Sequence, residues 1–372
     1  MNKERTICKR CVLDDGIPNI RFDENGICNY CKLFDELTAR FPNDSRGDNI
    51  VAGMIERIRK NGKGKEYDCV VGISGGVDST YLLYKILQFG LRPLAVHFDN
   101  GWDSELAVNN INNLLKKNNV ELFTYVVDWE EFKNLQLAFF EASVPDIEML
   151  TDHAIIAVLY KTAVKYKLKY ILVGNNFRTE GVIPRGWTYW DNKYFYDIVN
   201  KFSKVRVKSY PILSSFKKFY YKRIKKIEFI SLLNYMNYQK SDVINLLEEK
   251  MDWRNYGGKH YESIFTRWFQ SHYLPQKFNI DKRKVHLSAL ICSGQKSRED
   301  ALNELRNEPY PLEAIEKDTI YIKKKLELSD HRYEELWSKK PLTFRNYSTY
   351  YPLKRAINNI LQLIGINVQK RP

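Results

Sequence analysis

The chain has 372 residues, 44% of them hydrophobic and 28% charged, which is ordinary for folded domains and enough to bury a sizeable core. Its 59 Lys and Arg against 45 Asp and Glu leave a net charge of +14, a surplus that suits anionic partners and carries no information about fold. No apolar run reaches the roughly 18 residues of a membrane span, and the charged start Met1-Asn2-Lys3-Glu4-Arg5 leads into no apolar stretch. A transmembrane segment and a signal peptide are therefore not expected, and a cytoplasmic protein is.

Four of the six cysteines form Cys8-x-x-Cys11 and Cys28-x-x-Cys31. Each turn aims two thiolates at one point, and two such turns complete the tetrahedral shell that Zn2+ prefers. Asp15-Gly16-Ile17-Pro18 and Glu24-Asn25-Gly26 are turn formers that let a short ribbon fold back. Two disulfides or an iron–sulfur cluster could use the same residues. A reducing compartment disfavours the first, and a structural zinc ribbon over residues 1–36 is the expectation. Cys69 and Cys292 stand apart and read as small buried residues.

Residues 37–66 read as a helical linker ending in the hinge-like Gly62-Lys63-Gly64-Lys65. That stretch is no Walker A loop, because Glu66 replaces the required Ser or Thr and no strand precedes it. From residue 67 short apolar runs bounded by turn residues predict buried strands at 69–73, 93–98, 122–127 and 170–173. Helical spacing predicts helices at 80–89, 104–118, 130–142 and 152–166 between them. The alternation implies an α/β fold with a parallel sheet, over 67–210, with its site at the carboxyl ends of the strands. Residues 211–372 are expected to be mostly helical and to bind substrate or partner.

Ser74-Gly75-Gly76-Val77-Asp78-Ser79 lies between the first strand and its helix. Two glycines let backbone N–H groups face an anion, the hydroxyls of Ser74 and Ser79 add donors, and the helix N-terminus adds partial positive charge. Asp78 would repel a phosphate unless Mg2+ bridges the two. The loop resembles the pyrophosphate loop of the N-type ATP pyrophosphatases, which implies that ATP is cleaved to AMP and pyrophosphate. Val96-His97-Phe98-Asp99-Asn100-Gly101 resembles the adenosine-binding edge of that group, and Gly174 and Asn175 resemble the turn that closes over the nucleotide.

A narrower resemblance spans most of the chain. The cysteine ribbon ahead of the loop is similar to the N-acetyl sugar amidotransferase family of bacterial O-antigen and flagellar-glycan synthesis. So are Thr151-Asp152-His153-Ala154-Ile155, the stretch from Lys259 to Arg267, Asp281-Lys282-Arg283 with His286-Leu287-Ser288, and Ser293-Gly294-Gln295-Lys296-Ser297-Arg298-Glu299. The resemblance implies that an N-acetyl group on a nucleotide-activated sugar becomes an acetamidino group, with nitrogen from a separate glutaminase. In such chemistry Lys259, Lys282 and Arg283 are candidate cations for the phosphates. Asp152 and Glu262 are candidate proton acceptors, and His260, Arg267 and His286 are candidate substrate contacts.

Residues 198–227 hold ten Lys and Arg and no acid. They fit a sugar diphosphate, a tRNA backbone, anionic lipid, a partner subunit or a plain solvated face, and the acid-free stretch 341–372 has Ile357, Ile360, Leu361 and Ile364 on one helical face. Two alternatives remain. A tRNA-thiolating ATP pyrophosphatase would share the loop, the ribbon and the charge, but only Cys69 and Cys292 are left to supply a cysteine pair. A non-catalytic zinc-ribbon nucleic-acid binder would not need an intact Ser74–Ser79 loop, so stable nucleic-acid binding is not expected.

Overall fold

The structure, a computed structural model, describes residues 5–363. Five strands, β1 (Cys69–Gly72), β2 (Pro93–Asp99), β3 (Leu122–Val126), β4 (Tyr170–Leu172) and β5 (Glu228–Ile230), form one parallel sheet in the order β3-β2-β1-β4-β5. Helices α1 (Asn29–Arg40) and α2 (Ser45–Gly62) precede it. Between its strands lie α3 (Val77–Gln88), α4 (Glu105–Asn118), α5 (Trp129–Glu141), α6 (Met149–Lys165), α7 (Phe177–Glu180), α8 (Asn192–Phe202) and α9 (Ser215–Arg223). After it come α10 (Lys240–Met251), α11 (Ile264–Trp268), α12 (Leu274–Phe278), α13 (Arg283–Cys292), α14 (Arg298–Arg306), α15 (Leu312–Lys325), α16 (Asp330–Ser338) and α17 (Tyr351–Leu363).

The apolar runs are apolar on both faces because the sheet is covered on both. Val70, Leu94, Val96, Phe98 and Ile171 pack into one core with Phe132 and Phe139 of α5, Ala157 of α6 and Phe195 of α8. Their alternate neighbours Cys69, Val71, Ala95, Tyr170 and Leu172 pack into a second core with Ile55 of α2, Leu82 of α3, Leu114 of α4 and Leu247 of α10. This is the α/β class expected from the sequence, with helices on both faces.

Two elements depart from the pattern reading. The linker helix is two helices, because Pro42 cannot continue α1 and Asp44 starts α2 by accepting from the N–H of Arg46. The sheet also takes an edge strand, β5, from a stretch read as mostly helical. Three residues are too few to show a period, and parallel pairing of Tyr170 with Glu228 and Leu172 with Ile230 supplies what local pattern cannot.

Strand order decides where a ligand can bind. The chain passes from β1 to β2 and β3 on one side and to β4 and β5 on the other, so a crevice opens at the carboxyl ends of β1 and β4. The turns there touch. A Cβ on Gly174, after β4, would lie 2.8 Å from the backbone nitrogen of Ser79, in the first turn of α3. Gly174→Ala is therefore expected to lower stability by about 1–3 kcal/mol, because backbone cannot yield as a side chain can. Urea denaturation measures it, and an unchanged midpoint would show that the two turns do not pack this closely.

Candidate functional site

The Ser74–Ser79 loop caps β1, with Gly76 as the N-cap of α3 and Gly75 at φ 80°, the left-handed region where a side chain is costly. The first N–H groups of α3 lack intrahelical acceptors and face the crevice end of the strand, which suits an anion. The loop is held from outside: the carbonyl of Gly75 accepts from Trp253 Nε1 at 2.8 Å and from the Tyr256 hydroxyl at 2.8 Å. The two serines bond each other, Oγ to Oγ at 3.2 Å, and Ser74 Oγ accepts from the N–H of Gly76. Val77 packs beside the second core as the first residue of α3.

The C-terminal half reaches this loop through a short antiparallel pairing. The N–H of Ser104 donates to the Glu262 carbonyl at 2.8 Å and that of Ile264 to the Trp102 carbonyl at 2.9 Å. The pairing lays Glu262 against the loop, where a Cβ on Gly76 would meet Glu262 Oε1 at 3.1 Å. It also carries in Lys259, whose Nζ donates to the Thr179 carbonyl at 3.2 Å and lies 3.8 Å from Glu180. His260, at φ 62°, turns the chain and places Nδ1 3.6 Å from Glu262 Oε1; its ring is 5.7 Å from that of His286. On α13, His286 shares this space with Lys282, whose Nζ donates to Glu148 at 2.6 Å.

The charges of this group act on one another. Burial, then Glu180, pushes the Asp78 carboxyl above the usual carboxylate range, against the pull of Lys259, the Tyr238 hydroxyl bonded to it, and Lys240. Burial and the nearby Lys259 lower the Lys240 ammonium. Burial, with Lys259, His260 and Lys282 around it, holds the His286 ring neutral. Glu262 resists the upward push of burial because His260 and Lys259 lower it. Asp152 is pushed up to about 6 by the surrounding protein and by Glu148, opposed by Lys282 and His260. Its side chain is nonetheless open to solvent, as expected at the floor of a crevice, and that water tempers the push.

At the end of β2, His97 bridges Ile73 O (Nδ1, 3.0 Å) and Asp103 Oδ2 (Nε2, 2.9 Å). Burial opposes charging this ring, but Asp103 outweighs it and raises its pKa. Asp99 caps the next turn by accepting from the N–H of Gly101. Phe98 points into the core and stacks on Tyr125, so only its backbone is at the strand end. Asn175 donates to Glu180 at 3.3 Å.

Two predicted cations have other partners. Arg267 forms a two-pronged pair with Asp318 and lies against the rings of Tyr261 and Tyr310. Arg283 pairs with Asp281 and donates to the carbonyls of Glu304 and Asn307. Conversely, Lys240, Glu180, Glu148, Tyr238, Trp253 and Tyr256 are in or against the group without having been singled out. No local motif marks them.

The four ribbon cysteines converge, with Sγ atoms all within 4.8 Å of one another and every residue buried. The separations Cys8–Cys31 of 3.9 Å, Cys11–Cys28 of 3.7 Å and Cys28–Cys31 of 3.6 Å match the edges of about 3.8 Å that tetrahedral metal–sulfur bonds of about 2.3 Å imply. The donor set therefore fits a four-thiolate metal site. Cys292, read as a lone residue, lies 3.7 Å from Cys31. Arg298 clamps the ribbon by donating to the carbonyls of Cys8 and Cys11, and Val12 N–H bonds Ser288 Oγ.

Residues 262–360 match the family model for the LPS biosynthesis protein WbpG-like, C-terminal domain. Over those residues the chain is similar to that family. The WbpG-like segment contains Glu262, Arg267, Lys282, Arg283 and His286, and begins just after Lys259 and His260. Over 174 residues, 45% of this chain, the protein is 26% identical to the uncharacterized protein MJ1599 of Methanocaldococcus jannaschii, and the matched stretch spans 58% of that relative. Among solved structures it is similar to NMN synthetase from Francisella tularensis, with TM-score 0.39 and 13% identity over 76% of this chain and 97% of that one. It is similar also to the NH3-dependent NAD synthetase from Campylobacter jejuni, with TM-score 0.31 and 15% identity over 75% and 93%. For the U34-tRNA thiolase NcsA from Methanococcus maripaludis the values are 0.33 and 15% over 81% and 89%.

The purified chain is expected to carry about one metal ion on its four thiolates. Replacing Cys28 and Cys31 by serine should release it and lower the melting temperature. Elemental analysis beside a thermal melt tests this, and metal-free wild-type protein of undiminished stability would refute it.

Proposed function

We propose that this chain is an ATP-dependent amidotransferase: it adenylates an N-acetyl group of a nucleotide-activated sugar and replaces the oxygen with ammonia. The product is an acetamidino sugar, with AMP and pyrophosphate, made for surface polysaccharide. One observation carries the reading. A strand–loop–helix anion site at the switch point of the sheet lies beside a desolvated carboxylate, Asp78, and two cations, Lys240 and Lys259, brought from the C-terminal half. The WbpG-like segment, described as belonging to lipopolysaccharide biosynthesis, supports a sugar as the second substrate.

An amide carbonyl is a poor electrophile, so its oxygen must first become a leaving group. The amide oxygen attacks the α phosphorus of ATP, a P–O bond forms, and the bond to the β phosphate breaks as pyrophosphate departs. Ammonia then attacks the imidate carbon, the C–O bond to AMP breaks, and one proton is lost to a base. In this reading the N–H groups of the loop and α3 hold the pyrophosphate, and Lys240 and Lys259 meet its developing charge. Lys282, with Glu148, flanks the sugar side, where His260 and His286 offer ring contacts. Arg283 and Arg267 hold the C-terminal helices and act only through them. Asp78, whose ionisation burial and the neighbouring Glu180 oppose, and Glu180 itself fit the one or two carboxylates that Mg2+ would use beside substrate phosphates, where it would supply charge neutralisation. Zn2+ on Cys8, Cys11, Cys28 and Cys31 would be structural, since four thiolates leave no open position. Asp152 takes the proton from ammonia.

The cysteine positions favour this reading over tRNA thiolation. Cys69 is buried within β1, and Cys292 adjoins Cys31 in the ribbon, so the two do not form a pair at the loop. Neither is placed as a glutaminase nucleophile, which supports a separate glutaminase that delivers ammonia.

The deciding assay incubates the chain with ATP, magnesium, ammonium and a panel of nucleotide-linked diacetamido sugars. A product lighter by the difference between O and NH, formed with AMP, is expected; AMP-free turnover or no sugar product would refute the reading. Asp78→Ala is expected to cut AMP formation about a thousandfold with the fold retained. A second measurement concerns pH. A base must be ionised, and the Asp152 carboxyl is raised toward about 6, less the tempering by solvent, so turnover at constant free ammonia should fall as pH drops below that value. Asp152→Asn should remove this acidic limb with most of the activity; a variant that keeps both would exclude Asp152 as the base.

A further inference from the structure

The acid-free stretch of residues 198–227 is unused by the site and has an unusual form. Its helix α9 has no buried residue. Phe216 is 77% exposed, Phe219 59% and Ile224, just past the helix end, 62%. With Tyr220 they fall at helical spacing on one arc, and Tyr221, on the inner side, stacks on Tyr160. Lys217, Lys218, Lys222 and Arg223 surround the arc, and Lys225 and Lys226 follow it, all exposed. Among the described residues, the nearby ion pairs are Lys201 with Asp197 and Lys354 with Asp191, and neither involves those cations.

A second apolar face adjoins the first. Tyr350 lines a cavity of about 390 Å³ together with Asn192, Lys193, Tyr196, Ser214 and Lys217. The helix that follows, α17, exposes Leu353, Ile357 and Ile360. The crowding of Lys218 by its surroundings and by the like charges of Lys222 and of Lys354 on α17 lowers its ammonium, although the residue stays exposed.

We propose that α9, with the start of α17, is a peripheral membrane-docking surface: Phe216, Phe219 and Ile224 enter the headgroup boundary of an anionic bilayer while the surrounding lysines hold lipid phosphates. The surface has the composition of an interfacial helix, with rings on one arc and cations beside it. Lipid is favoured over a protein partner because residues 198–227 carry eight lysines and only two arginines. Protein interfaces are depleted in lysine and enriched in arginine, whereas a flexible lysine stem lies along apolar surface and reaches to a phosphate. Among the described residues no helix is long and apolar enough to cross a membrane, so the association is with its surface.

The test is flotation of the full chain with vesicles of phosphatidylcholine, alone or mixed with phosphatidylglycerol. The wild type should float with the anionic vesicles, lose them as salt rises, and ignore pure phosphatidylcholine. Phe216→Ser with Phe219→Ser, and separately Lys217→Glu with Lys222→Glu, should each weaken vesicle binding by about tenfold or more. Neither pair removes a buried side chain, and an unchanged thermal melt checks that. Absent binding to anionic vesicles, equal binding to neutral ones, or variants that bind like wild type would overturn the proposal. Loss of glutamine-supported turnover with a partner, at unchanged vesicle binding, would overturn it in favour of a protein interface.

Discussion

The pairing of residues 102–104 with 262–264 is two hydrogen bonds long, yet it governs where the C-terminal half can act. Without it, the segment from Lys259 to Glu262 has no anchor on the sheet. With it, the segment must cross the carboxyl edge of β1 and β2, and Glu262 must lie against Gly76. The same segment donates through Lys259 to the carbonyl of Thr179 in α7, so it spans the crevice from the β2 side to the β4 side. The crevice thus has a sheet-derived floor and a roof from the distant chain. That division matches the chemistry proposed for it, in which one half holds a nucleotide and the other a variable acceptor.

The charges in this crevice are poorly compensated when no ligand is bound. Asp78 is desolvated beside Glu180, and Lys240 is desolvated beside Lys259, so each sign has been gathered against its own repulsion. Such an arrangement costs stability in the empty protein and is relieved by a ligand that carries both phosphate and a divalent cation. Preorganisation of this kind places the energetic burden on folding and removes it from the reaction. Tight backbone contacts, such as Gly174 on Ser79, oppose relaxation of the loop away from that geometry.

The sheet, the loop and the ribbon were legible because each is encoded locally. Two-faced apolar runs announce β1, β2 and β4, Gly75-Gly76 announces the turn, and cysteine spacing announces the metal shell. What failed to show was set by long-range packing. Arg267 has the chemistry of a phosphate ligand, but Asp318, 51 residues away, occupies it; Arg283 is held by its near neighbour Asp281 and by the carbonyls of Glu304 and Asn307, contacts that only the packing of α13 against α14 makes. Trp253 and Tyr256 look like core residues until their donors meet the Gly75 carbonyl. Lys240 lies in an ordinary amphipathic helix, and the packing of α10 against α3, with Gln295 accepting from its N–H, places it near Asp78.

The run from Ser293 to Glu299 shows how the ribbon is tied to this chemistry without taking part in it. Ser293 Oγ donates to the Arg178 carbonyl, beside the turn after β4. Gln295 accepts from the N–H of Lys240 and donates to the carbonyl of Tyr238, whose hydroxyl holds Asp78. Arg298 reaches the other way, to the carbonyls of Cys8 and Cys11. The turn between α13 and α14, with the first residue of α14, therefore grips the four-cysteine cluster with one side chain and the partners of Asp78 with another. Disruption of the four-cysteine cluster would free the carbonyls that Arg298 holds and loosen the turn that positions Lys240. In this architecture a structural metal can influence turnover at a distance, through backbone placement, while offering no coordination position to the substrate.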